Sequence, residues 1–426
     1  MATHRYRTVY RCIEDVKRQL GEQTQLATLF AQCFPNTLET TTELLEDGTT
    51  FVFTGDIPAL WLRDSSAQVN PYISLAADDP ELRRMLRGLI QRQARYLQID
   101  PYANSFNREP NGNGHTQDRP RQGPHVWERK YELDSLCYPL KLCYTYWQAT
   151  RDETVFTDDV LGMFQAIIAL METEQHHTER SEYRFERLEP SPPSDSLPFE
   201  GQGTRVNFTG MIWSGFRPSD DACRFGYLVP ANMLAVVVLG YLATMAREIY
   251  DDTLLAERAS KLQAEVELGI QTYGVVEHPR FGRIYAYETD GFGNYNLMDD
   301  ANVPSLLAIP YMQYRPADDP MYMRTRRFVL SGSNPYYFQG RAARGVGSPH
   351  TPQNYIWPIA LSMQGLTATS REEQDEVLDL LVGTTAGTNY MHESFHADDP
   401  MQFTRPWFAW ANSLFSEFLL HYLREI

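Results

Sequence analysis

His392-Glu393-Ser394-Phe395-His396 reads H-E-x-x-H. On a helix, that spacing sets two imidazoles one turn apart on one face. There they hold Zn²⁺ while the glutamate draws a proton from a bound water. The flanking residues oppose this reading. Gly383, Gly387 and Asn389 precede the motif and Asp398-Asp399-Pro400 follows it, so at most about two turns of helix fit. Zinc also needs a third ligand. Glu417 is the formal candidate, yet its place within Asn412–Glu417 suits a solvated or capping carboxylate better. Without zinc, Glu393 is still a carboxylate able to activate water, provided that a second carboxyl stands opposite.

Candidates for that second group lie in Trp213-Ser214-Gly215-Phe216-Arg217-Pro218-Ser219-Asp220-Asp221-Ala222. Adjacent acids beside an arginine, in a loop with Gly and Pro, offer a carboxyl whose proton affinity burial and a like charge can raise. The competing reading is a pair of helix-capping aspartates after a proline turn, which accounts for one acid more easily than for both. A third stretch, Thr54-Gly55-Asp56-Ile57-Pro58-Ala59-Leu60-Trp61-Leu62-Arg63-Asp64, precedes a helix. Arg63 and Asp64 could grip neighbouring hydroxyls with the Trp61 ring against an apolar face, or could close the loop on themselves as a salt bridge. Asp56 is a reserve carboxylate. Trp127-Glu128-Arg129-Lys130-Tyr131-Glu132 and Gly345-Val346-Gly347-Ser348-Pro349-His350-Thr351 are less specific. His350 is expected there as a neutral hydrogen-bonding partner.

The elements that must carry these loops are helical. Apolar residues recur with helix period at Val9, Ile13, Val16 and Leu20, at Leu82 to Ile90, at Leu133 to Trp147, at Val160 to Met171 and at Leu254 to Leu268. A last helix is expected from about Thr404, with Pro406 in its first turn and Trp407, Trp410, Leu414, Phe415 and Phe418 along it. Ala231 to Met245 is too short and too polar at Asn232 for a bilayer span and reads as a buried helix. Loops rich in Gly, Pro, Asn and Asp separate the helices. The proline-rich Arg184–Gly203 could pass for a linker, but helical patterns resume on both sides, so it is expected as a loop within one domain. Tyr285 to Asn296 reads as a loop and strand excursion. Helix pairs around one core, with functional loops on one face, point to an α/α toroid.

Composition narrows the partners. The net charge is −17, which excludes nucleic acid or an anionic membrane as the main partner and favours a neutral substrate. Tyr and Trp are abundant, 25 and 7 residues, and such rings serve either a core or a sugar-stacking cleft. The five cysteines, Cys12, Cys33, Cys137, Cys143 and Cys223, show no C-x-x-C spacing and fit reduced thiols. Met1 to Tyr6 carries no apolar leader pattern, and a cytoplasmic location is expected.

T-G-D-I-P-A-L-W-L-R-D-S, W-S-G-F-R-P-S-D-D-A, the G-S-P-H-T loop and H-E-S-F-H together resemble glycoside hydrolase family 125, over about residues 5 to 425. The resemblance implies a single (α/α)₆ barrel over residues 1–426, long loops and short β excursions on the active-site face, and no cofactor or metal. It implies exo-acting, inverting hydrolysis of α-1,6-linked mannose in mannosides or N-glycan fragments. Asp220 then matches the general acid and Glu393 the general base, with Asp220 against Asp221 left open on the residues alone. Trp61, Arg63, Asp64, Asp56 and His350 would contact the mannose-containing oligosaccharide. A sugar epimerase or isomerase on the same toroid, a zinc hydrolase built on His392 and His396, and a glycan-binding protein are the alternatives.

Overall fold

The computed structural model describes residues 5–21, 24–190 and 192–424. Met1 to His4, on which much of the leader reading rests, lie outside the described residues. The chain is mostly helical with several small sheets. Five helices form the interior: Leu62–Val69, Leu133–Thr150, Val229–Glu248, Pro358–Leu366 and Ala409–Arg424. Leu133–Thr150 packs on both Leu62–Val69 and Val229–Glu248, while Ala409–Arg424 packs on both Leu62–Val69 and Pro358–Leu366. Each has an outer companion or neighbour. Val229–Glu248 pairs with Thr253–Tyr273, Pro358–Leu366 with Arg371–Gly383, and Pro80–Ile99 lies on Asp158–Glu174 and Leu133–Thr150.

The sequence explains the split between interior and exterior. Three outer helices start at side-chain caps: Asp79 accepts from Glu81 and Leu82, Asp252 from Leu255, and Ser370 from Glu373. Most interior helices are apolar, whereas Leu62–Val69 is buried but polar, carrying Arg63, Asp64, Ser65, Ser66 and Gln68. Every residue of Leu62–Val69 is buried, and Val229–Glu248 is held between two neighbours. That helix is long and apolar enough for a bilayer span, but it is largely buried within the fold.

Most interior helices are entered from a short strand rather than from a side-chain cap. Leu60–Trp61 leads into Leu62, Tyr227–Leu228 into Val229, and Tyr355–Ile356 comes just before Pro358. Leu60–Trp61 pairs antiparallel with Ser105–Phe106, which pairs with Val126–Glu128. Tyr355–Ile356 pairs with Phe395–His396, which pairs with Asp399–Phe403. These sheets gather at the N-terminal ends of the interior helices, and the unusual residues of the sequence gather there too.

One expectation needs correction. The last helix begins at Ala409, not near Thr404, because Thr404 donates to Ser394 O and Phe408 to Met391 O, holding 404–408 as an extended return to the H-E-x-x-H segment. The Arg184–Gly203 segment is anchored as a loop. Arg119 and Glu186 exchange backbone bonds, and Ala222 donates to Ser194 O at 2.7 Å.

Candidate active site

The H-E-x-x-H residues are not helical. Phe395–His396 is a strand and His392 to Ser394 is loop. Both ring nitrogens of His392 face backbone carbonyls, Nδ1 on Arg405 O at 2.8 Å and Nε2 on Thr385 O at 3.2 Å, and its ring stacks on Phe403. Burial pulls its pKa down. His396 Nδ1 accepts from the Asp398 amide, and its ring meets Tyr355 edge-on. Glu417, expected as solvated or capping, instead accepts from Asn70 Nδ2 at 2.7 Å and Tyr311 OH at 3.0 Å, and burial pushes its carboxyl up to about 7. The two histidines and Glu417 form no zinc set. His392 is a wedge fixing the turn that presents Glu393.

Glu393 lines a cavity of about 410 Å³, open to solvent, together with Trp61, Arg63, Asp64, Asp220, Asn302, His350, Trp357, Arg405, Phe408 and Trp410. Arg405 Nε stands 3.4 Å from Glu393 Oε1 and 3.3 Å from Asp56 Oδ2, so one guanidinium orients the carboxylate and ties it to the opposite rim. Asp56 itself is exposed at that rim and reaches the cavity only through Arg405.

Asp220 enters from a tight turn. Arg217 N donates to Asp221 O and Asp220 N to Arg217 O, and the turn is closed by an antiparallel bridge between Phe216 and Ala222. Asp220 adopts φ 67°, a left-handed conformation that costs a non-glycine residue on the order of 1 kcal/mol. The capping alternative fails, because the next helix starts at Val229 with no side-chain cap. Lys130 Nζ holds the Asp220 carbonyl at 2.8 Å, and Arg63 Nη2 lies 3.9 Å from Asp220 Oδ1.

The two adjacent aspartates are separated by their partners. Asp220 faces the cavity, its side chain 28% exposed. Asp221 is buried, accepts from Ser194 Oγ at 2.7 Å and faces His350 Nδ1 at 3.7 Å. Burial lowers the pKa of His350, but the Asp221 carboxylate, with Asp220 and Glu393 nearby, outweighs it and carries it up to about 9. The expected neutral His350 is therefore an imidazolium at neutral pH.

Arg63 is the electrostatic hub. Its Nε donates to Asp64 Oδ1 at 3.1 Å and its Nη1 to Glu132 Oε2 at 2.7 Å and Asp134 Oδ2 at 3.2 Å. With its side chain 4% exposed and Nε and Nη1 engaged, it organises the surrounding carboxylates, while Nη2 faces Asp220 Oδ1 at 3.9 Å. Asp134, on the first turn of its helix, is pushed up to about 6 by burial against the pull of Arg63. Glu132 is pushed well above the carboxylate range by burial, with Asp220 and Asp134 beside it. For Asp220, burial is outweighed by Lys130 and Arg63, which hold it below that range. Trp61 Nε1 is buried without an acceptor while its residue lines the cavity, leaving a donor for a ligand hydroxyl.

The structure thus brings Trp61, Arg63, Asp64, Asp220, His350 and Glu393 together and leaves Asp56 at the rim. Sequence reasoning missed Arg405, Asn302, Trp357 and Phe408 and took Trp410 for a core residue. Glu128, Lys130 and Glu132 stood in a stretch noted only for polar groups before a helix, a weak signal for the second layer they form.

A helical fold, a polar cavity walled by tryptophans and two carboxylates on separate loops are features of a carbohydrate-active hydrolase. The family model for metal-independent α-mannosidases, glycoside hydrolase family 125, matches residues 23–420, and the chain belongs to that family. It is 42% identical over 447 residues to the meiotically up-regulated gene 157 protein of Schizosaccharomyces pombe, across 99% of this chain and 87% of the relative. A Streptococcus pneumoniae metal-independent α-mannosidase, solved in a non-productive complex with α-1,6-mannobiose, superposes with a TM-score of 0.96 at 46% identity, covering 99% of this chain and all of the other. A more distant glycosidase, 11% identical with a TM-score of 0.57 over 94% of this chain and 97% of its own, shares the fold alone.

Proposed function

We propose that this α-mannosidase is exo-acting on α-1,6 linkages. It removes a terminal non-reducing mannose from mannosides or N-glycan fragments with inversion, Asp220 serving as general acid and Glu393 as general base. The observation that carries the proposal is that these two carboxyls, far apart in sequence, line one cavity and face different cations: Arg405 for Glu393 and Arg63 for Asp220, whose backbone carbonyl Lys130 holds. The solved relative bound to α-1,6-mannobiose supports the linkage.

In this reading the mannose ring enters with Trp61 Nε1 and Asp64 offering polar contacts and Trp357 and Trp410 offering apolar walls. Water between Glu393 and the anomeric carbon gives a proton to Glu393 as its oxygen attacks. On the opposite ring face the anomeric C–O bond breaks, and its electron pair takes the proton from Asp220. An inverting pair leaves room for that water at a separation of about 6.5–9.5 Å, against about 5–5.5 Å for a retaining pair. The interior helices would belong to one (α/α)₆ barrel that forms a single catalytic domain over 1–426. Five cysteines that remain free thiols support a cytoplasmic enzyme.

Glu393→Gln and Asp220→Asn test the assignment. Each is expected to keep the circular dichroism spectrum and melting temperature of the wild type. Each should lower mannose release from α-1,6-mannobiose by on the order of 10²–10⁴-fold. Near wild-type release by either variant removes that residue from its role.

A further inference from the structure

We infer that Glu132 is a positioning residue for the acid: it stores a proton and passes it to Asp220 when a sugar fills the cavity. This rests on the reading of Asp220 as general acid. It answers a difficulty in that reading, since an acid facing Arg63 at 3.9 Å, with Lys130 on its own backbone carbonyl, is poorly placed to keep its own proton.

The geometry carries the inference. Glu132 is wholly buried directly before the helix Leu133–Thr150. Its Oε2 accepts from Arg63 Nη1 at 2.7 Å and Ser135 Oγ at 2.9 Å. Its Oε1 has only a long bond of 3.4 Å from Asn104 Nδ2, so Oε1 is free to carry a proton. The Asp220 carboxyl lies within hydrogen-bonding reach of Glu132. Asp220 Oδ1 is buried with no donor. Two carboxylates are both acceptors, and only a proton between them satisfies the contact. The charge balance demands the same. Four carboxylates, Asp64, Glu132, Asp134 and Asp220, surround the single guanidinium of Arg63 within 4 Å. Lys130 is shared with Glu128 and Asp195, and His350 is tied to Asp221. Such an excess of buried negative charge is held by keeping protons.

The handover follows from solvation. The Asp220 side chain is 28% exposed, while that of Glu132 is shut off from solvent. A sugar entering the cavity strips water from Asp220 and leaves Glu132 as it was, so the proton moves to Asp220. Glu132 becomes a carboxylate held by Arg63, Ser135 and Asn104. Asp220 then gives the proton to the leaving oxygen as the glycosidic bond breaks. After the product leaves, the proton that Glu393 took from water returns to solvent and Glu132 takes one up, so the cycle balances.

The test compares wild type, Glu132→Gln, Glu132→Asp and Asp220→Asn on two substrates. One is α-1,6-mannobiose; the other is 2,4-dinitrophenyl α-mannoside, whose leaving group needs no proton. Glutamine cannot store a proton, and its neutral amide leaves Asp220 under Lys130 and Arg63. The basic limb of kcat/KM on mannobiose should therefore move at least one pH unit lower, a tenfold loss or more above that limb, with KM little changed. The aryl mannoside should be turned over at the wild-type rate. Glu132→Asp, which keeps a carboxyl, should restore most of the limb and carries the test if the glutamine variant fails to fold. A basic limb unmoved in Glu132→Gln, or moved equally on both substrates, overturns the inference. So does a limb in Glu132→Asp that falls as far as removal of the carboxyl would require. Asp220→Asn separates the two claims: full mannobiose turnover in that variant overturns the acid assignment itself.

Discussion

His350 shows how a single residue's neighbours reverse an expectation from sequence. Alone in a Gly-Ser-Pro loop it reads as neutral, but Asp221 makes it a cation with a pKa near 9. Its folded pKa lies above the unfolded value near 6.5, so its stabilisation is complete below about pH 6.5 and is lost as pH rises through about 9. The melting temperature of the wild type should fall across that window more than that of His350→Gln; equal slopes would show that His350 is not charged in the fold. Arg405 is the counterpart for the base. Arg405→Met should lower kcat on mannobiose tenfold or more through a misplaced Glu393, and an unchanged kcat would remove its orienting role. The loops that carry Asp220, Glu393 and the Arg63–Asp64 pair were legible in the sequence as acids among Gly, Pro and Arg, while the choice of Asp220 and Glu393 as acid and base came from the family resemblance. Arg405 was not legible. Its function comes from a return strand that pairs with the H-E-x-x-H segment, and nothing local marks that pairing.

The recurring element is a short strand that leads to an interior helix, and Leu60–Trp61 also delivers Trp61 to the cavity. The device depends on interior helices packing closely. Gly365 has no side chain where the Phe418 ring crosses, and a Cβ there would stand 2.2 Å from that ring. Gly365→Ala should cost about 1–3 kcal/mol by urea denaturation, with little effect on KM; a neutral substitution would show that the two helices have room to part. Helix periodicity revealed the long helices, including the buried Val229–Glu248, and the excursion at Tyr285–Asn296. It failed at the start of the last helix, where Trp407 and Phe408 fit the helical pattern but tertiary hydrogen bonds hold 404–408 extended. It also gave no sign of the two- and three-stranded sheets at the interior helix ends. Strands of two or three residues are too short to show a period.

At the scale of the whole molecule, the charge of −17 is compatible with a neutral glycan and sets up no steering of it. Raising salt from about 0.02 to about 0.5 M should therefore change kcat/KM on mannobiose by less than about twofold; a steep dependence would point to a charged substrate. Excess chelator should leave the rate unaltered, and loss restored by Zn²⁺ would return weight to the H-E-x-x-H reading. The helical class was legible from helix periodicity and from the family resemblance together, whereas the meeting of two distant carboxyls in one cavity is a property of the fold alone. The central claim is inverting hydrolysis by Asp220 and Glu393, and the anomer released first tests it most directly. Proton NMR of wild-type enzyme with α-1,6-mannobiose should show β-mannose appearing first and mutarotating later. Initial release of α-mannose would mean retention and would contradict the roles assigned to both carboxylates.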